Sequence, residues 1–179
     1  MNRLQALNPA TTTGKSKDLF DGIQAKLGMV PNMMRTMGNS PAVLEGYLNL
    51  SGALAKGRLG AKLGELIALT VSEANDCDYC LAAHTFIGDK LAKIDLAELD
   101  AARDARNNSP KIQAALRFAL TLVENSGRIN DEDVQLVKDA GYSEGEISEI
   151  VAHVALNTLT NYFNNTANTT VDFPALQAA

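Results

Sequence analysis

Apolar residues recur along this chain at intervals of three and four, and nowhere is a period-two alternation sustained. Leu19, Phe20, Ile23 and Leu27 make the first such stripe, and Gly28 is placed to end it, so a short docking helix is expected within about the first 30 residues. Pro31 and Ser40-Pro41 bracket a Met-rich junction, Met33, Met34 and Met37. Ser40 as N-cap with Pro41 at the first helical position opens a helix to about Ala55, with Leu44, Tyr47, Leu48 and Leu54 as its buried stripe. The pattern of Leu63, Leu66, Ile67 and Val71 predicts a helix over 59–75. A polar break at Asn75-Asp76 precedes another helix from Cys77 to about Ala92. Further helices are predicted near 95–106, 110–125, 131–139 and 144–164; Ser143 and Glu146, three apart, match the capping box that announces the last.

Two fragments echo each other, Asn39-Ser40-Pro41 with Asn108-Ser109-Pro110 and Glu65-Leu66-Ile67-Ala68 with Glu149-Ile150-Val151-Ala152, but at different offsets. No Pro-, Gly- or Ser-rich linker divides the chain. A single all-α domain over 1–179 is therefore expected. Composition agrees: of 179 residues 46% are hydrophobic but only 5% aromatic, with no Trp, which favours helices over sheets. A net charge of −5 with scattered basic residues lacks the footprint of a nucleic-acid binder. The longest strongly apolar run, Leu66 to Leu69, is far short of a membrane span, and Met1 to Lys15 has no signal-peptide core; the reading is a cytoplasmic protein.

Two cysteines cannot staple a secreted framework of this size, so a close pair points to redox chemistry or metal binding. Cys77-Asp78-Tyr79-Cys80 is that pair, and His84 follows four residues later. At about 100° per residue, Cys77 and His84 lie about 60° and 40° from Cys80, on one helical face. With Asp76 as N-cap, both sulfurs would occupy the first turn, where free N–H groups and the helix dipole favour a thiolate. Asp76 and Asp78 oppose this, since neighbouring carboxylates raise a thiol pKa. A thiolate that attacks a peroxide becomes a sulfenic acid, which a thiol one turn away converts to a disulfide. The alternative is zinc held by the cysteines with His84 and His153, although such pairs usually sit in knuckles with matching distal ligands. His153, within the apolar run Ile150 to Leu156, reads as core or interface.

The run from Glu65 through Cys77, Cys80 and His84 to Thr85 resembles the motif of the AhpD-like proteins of the carboxymuconolactone decarboxylase superfamily, on its peroxidase-related branch. The motif match covers about residues 60–90, and Asn157, Asn161, Tyr162 and Phe163 resemble the family's Asn-rich C-terminal helix. The resemblance implies an all-helical fold, assembly into trimers or hexamers, and thiol-dependent reduction of an organic hydroperoxide or hydrogen peroxide. It makes Cys80 the peroxidatic thiol, Cys77 the resolving thiol, and Glu65 with His84 a proton relay. It implies no bound cofactor but an external dithiol reductant: a lipoyl protein, thioredoxin or a small thiol. Tyr79 departs from the family, which has a His beside the second cysteine. Tyr79 and Glu73 are candidates for supporting positions around the site. Two other functions compete: a decarboxylase of the carboxymuconolactone kind, and a non-enzymatic redox-sensing or zinc-binding oligomer.

Overall fold

A computed structural model describes residues 2–174, so Met1 and residues 175–179 of the expected 1–179 domain lie outside it. Among the described residues the chain is wholly helical: α1 (Lys15–Leu27), α2 (Asn32–Met37), α3 (Pro41–Leu54), α4 (Gly60–Ala74), α5 (Asp78–Lys90), α6 (Leu96–Arg103), α7 (Pro110–Glu124), α8 (Asp131–Asp139) and α9 (Glu144–Ala167). The breaks follow the local chemistry. Gly28 closes α1 in the left-handed conformation at φ 76°, and Ser109 caps α7 by accepting from the Ile112 amide. Reciprocal capping boxes at Asn130–Asp133 and Ser143–Glu146 start α8 and α9. The short α2 falls inside the Met-rich junction, where a single turn and a half carries too few residues for a periodic signal.

α4 is the axis of the fold, packed against α5, α6, α7 and α9. Its sequence is apolar around most of its circumference, as a helix covered on all sides must be. Leu66, Ile67, Leu69 and Val71 are fully buried, and the one hydroxyl among them, Thr70, donates to the carbonyl of Ala102 at 2.6 Å. The start of α4 is held from across the molecule: the Glu149 carboxylate on α9 accepts from the amides of Arg58 at 2.7 Å and Leu59 at 3.2 Å. Gly57 makes this approach possible, because a Cβ there would lie 2.5 Å from the carboxylate oxygen.

The interior divides in two. One apolar cluster joins α4 to α6, α7, α8 and α9; a second joins Phe20, Ile23, Met33, Met37 and Leu44 of α1–α3 to Cys77, Tyr79, Cys80 and Ala83. α5 thus carries the cysteine pair into the second cluster. Of the stripe expected on α3, only Leu44 is fully buried; Tyr47, Leu48 and Leu54 are half-buried, and Tyr47 and Leu54 face a cavity rather than close-packed side chains. No helix among the described residues is long and apolar enough to cross a membrane.

Candidate active site

The turn from α4 to α5 sets the site. Asp76 adopts the left-handed conformation at φ 52°, which short polar residues tolerate, and this delays the helix by one residue. Cys77 rather than Asp76 is consequently the N-cap, and its sulfur accepts the Cys80 amide at 3.4 Å. The expected N-cap is corrected, but both sulfurs remain at the helix start. The Cys77 thiol donates to the Cys80 sulfur across 2.7 Å, and both cysteines are free and buried.

That donation separates the two thiols. It is the largest influence holding Cys80 down to about 6; burial opposes it, while His84 and the amides of Asn161 and Asn164 assist. Cys77 is pushed up by the same bond, then by burial and the charge on Cys80. The two shifts run in opposite directions, so Cys80 is the thiol of the pair that ionises first.

α4 and α5 form an antiparallel hairpin, so Glu65 and His84 meet: the carboxylate lies 2.8 Å from Nδ1 of the imidazole. Burial lowers the pKa of His84, but the charge and hydrogen bond of Glu65 outweigh it and the net shift is upward. With Nδ1 engaged by the carboxylate, Nε2 is left for other partners.

Cys80, His84 and Glu65 all line one cavity of about 340 Å³; Cys77 does not, and is fully buried behind Cys80. The walls are mostly apolar, among them Met29, Met33, Leu54, Phe86, Ile87 and Phe173. Tyr47 also lines it, its pKa pushed up to about 12 by burial and by the nearby charges of Cys80 and Glu65, so the phenol stays protonated. Among the described residues there is no group of three or more His, Cys, Asp or Glu side chains able to hold a metal ion.

Residues 41–121 match the carboxymuconolactone decarboxylase family. Superposition on a peroxidase-related protein with the alkylhydroperoxidase AhpD core from Ralstonia eutropha JMP134 gives a TM-score of 0.85 at 26% identity, over 96% of this chain and 92% of that one. The chain has an AhpD-like fold, with a carboxymuconolactone decarboxylase family domain over residues 41–121. The fold is shared with a peroxidase-related protein from Silicibacter sp. TM1040 (TM-score 0.79, 23% identity, 95% and 94% of the two chains). It is shared also with the debrominase Bmp8 bound to 2,3,4-tribromopyrrole (TM-score 0.80, 21% identity, 96% and 92% of the two chains). No curated protein matches the chain.

Around this AhpD-like pair, α9 contributes what sequence reasoning did not assign. Asn164 donates to the Cys80 sulfur at 3.2 Å, and Asn161 donates to Ser72 and accepts from Asn75, pinning the α4–α5 turn. Both are buried, with Asn157, on one face of α9. The signal was their spacing, three to four residues apart on an otherwise apolar helix. Tyr79 turns its hydroxyl away from Cys77: it donates to Asp172 at 2.9 Å and accepts from the Met33 amide at 3.2 Å. Glu73 faces elsewhere, accepting from Arg103 of α6. His153, expected in the core or an interface, lines the cavity.

Proposed function

We propose that this AhpD-like protein is a thiol peroxidase in which Cys80 attacks an organic hydroperoxide and Cys77 resolves the product. The observation that carries the reading is the asymmetry of the pair: Cys80, its pKa lowered, lies in the wall of an apolar cavity beside Glu65–His84, while Cys77 donates from behind it. The Cys80 thiolate takes the terminal oxygen of ROOH, breaking the O–O bond; the sulfur becomes a sulfenic acid and the alkoxide leaves. A proton from His84, whose imidazolium Glu65 supports, converts the alkoxide to the alcohol. Cys77 then attacks the sulfenic sulfur, forming the disulfide and releasing water. An external dithiol, such as a lipoyl protein, thioredoxin or a small thiol, reopens the disulfide by exchange and is itself oxidised. No bound cofactor enters this cycle, and the assembly that fits the resemblance is a trimer or hexamer.

The test is to count thiols before and after one equivalent of cumene hydroperoxide, with metal analysis of the same sample. Loss of two thiols per chain without metal is expected. Stoichiometric zinc protecting both thiols, or retention of both in metal-free protein, overturns the reading.

A further inference from the structure

The cavity holds six ionisable side chains, and five are committed. Cys80 bonds with Cys77 and Asn164, Glu65 with His84, Tyr79 with Asp172 and Met33, and Tyr47 with Ser51. The sixth is His153, whose imidazole has no hydrogen-bond partner among the described residues although it lines the cavity. Room is made for the ring on purpose of sequence: α4 offers Gly60, Ala61 and Gly64 on the facing side, and a Cβ at Gly64 would lie 3.2 Å from Cε1 of His153.

Its position along the cavity follows from helix register. Ser72 meets Asn161 and Gly64 meets His153, the same offset of 89 residues in both cases, so α4 and α9 run parallel. Asn164, which holds Cys80, is eleven residues beyond His153, about 16 Å along the helix axis at 1.5 Å per residue. Glu65, next to Gly64, lies level with His153, and its partner His84 is one turn of α5 from Cys80, so the thiolate and the free imidazole lie on either side of the Glu65–His84 pair in one apolar space. Burial lowers the pKa of His153, which leaves a neutral ring with one donor and one acceptor.

We propose that His153 is the anchor for the far end of the substrate, selecting an uncharged apolar molecule with a second hydrogen-bonding group, such as a hydroxyl, on the order of 10 Å from the atom that meets Cys80. An ionised tail is disfavoured, since the surrounding wall is apolar and the carboxylates nearest the ring are already committed, Glu149 to the amides of Arg58 and Leu59 and Glu65 to His84. Placing the reactive end at Cys80 rests on the peroxidase reading; the anchor itself is a binding property.

The experiment measures affinity for two unreactive alcohols, cumyl alcohol and its para-hydroxymethyl derivative, by titration calorimetry on the reduced protein. The parent is expected to bind the derivative about tenfold more tightly, the scale of one good hydrogen bond. That ratio should fall to about one in His153→Leu and persist in His153→Gln, which keeps a donor and an acceptor. A parent protein without the preference overturns the proposal, as does a ratio that survives in His153→Leu, for then the ring only shapes the wall. Oxidation of Cys80 by cumene hydroperoxide is followed in parallel. If oxidation fails while the preference holds, the peroxidase reading falls and the anchor stands; if oxidation proceeds without the preference, the anchor alone falls.

Discussion

In the proposed cycle, the division of labour between Cys77 and Cys80 follows from which sulfur carries the proton and which reaches the cavity. Replacing Cys80 by Ser is expected to abolish peroxide consumption, whereas Cys77→Ser should leave a first attack that stalls as a sulfenic acid. A sulfenic-acid probe reads this directly; labelling of Cys77 in the Cys80→Ser protein, with none in the reverse variant, would invert the assignment. The pairing of types and the spacing to His84 were legible because a helix places them on one face. The sign of the asymmetry was not, since it depends on the proton donated by Cys77, on the Asn164 amide and on the cavity wall, all tertiary facts. Glu65 supports the same thiolate at one remove, by raising the pKa of His84. With Cys80 held near 6 and the His84 imidazolium as proton donor, single-turnover oxidation in the parent should rise as pH passes through about 6 and fall again at higher pH as His84 loses its proton. Glu65→Gln weakens the imidazolium, so the Cys80 pKa should move up and the rate near pH 7 fall by roughly one to two orders of magnitude, recovering at alkaline pH where the thiol ionises unaided. An unchanged pH profile would make the Glu65–His84 pair purely structural.

At the scale of elements, the boundary between α4 and α5 was readable from the polar break at Asn75-Asp76, and the antiparallel pairing of the two helices brings Glu65 beside His84. The first turn of α5 was misplaced by one residue because a left-handed Asp76 is a conformational choice that periodicity does not record. α2 was missed for its brevity, and the stripe of α3 was only partly buried because a cavity and an ordinary core place the same demand on side-chain polarity. The informative element in retrospect is α9. Its buried Asn157, Asn161 and Asn164 interrupt an apolar face at helical spacing, a costly pattern unless each amide has work to do. Asn164→Leu, close in size but without the N–H, removes the donor to Cys80. The thiol pKa should rise by about one unit, about 1.4 kcal/mol, measured as the titration of thiolate absorbance in the ultraviolet. If the titration is unmoved, the 3.2 Å contact is packing without electrostatic consequence.

At the scale of the molecule, two apolar clusters are fastened to each other along α4, α5 and α9, and the surface they leave bears on assembly. Val151, Leu159 and Tyr162 stand exposed on the outer side of α9, apolar area that a homo-oligomer would cover. Sedimentation equilibrium at micromolar concentration should therefore show an assembly, and a monomer there would count against it. Closing of the second cluster depends on the segment after α9. One oxygen of Asp172 accepts from Tyr79 at 2.9 Å and the other from the Asn32 amide at 2.7 Å, while Phe173 packs edge-on to Tyr79 with ring centroids 5.7 Å apart and forms part of the cavity wall. A single carboxylate thus ties α5, between its two cysteines, to the start of α2. Charge-assisted bonds of this kind contribute about 1.5–3 kcal/mol each, and their loss should be felt locally before it is felt globally. Asp172→Ala is expected to speed hydrogen exchange at the Asn32 and Met33 amides by roughly ten- to a hundredfold, with little change at amides in the middle of α4. Asp172→Asn, which can still accept one bond, should fall between the two. Equal exchange rates in the parent and the alanine protein would mean that the segment rests on the cavity through Phe173 alone, and that Asp172 does not hold it there.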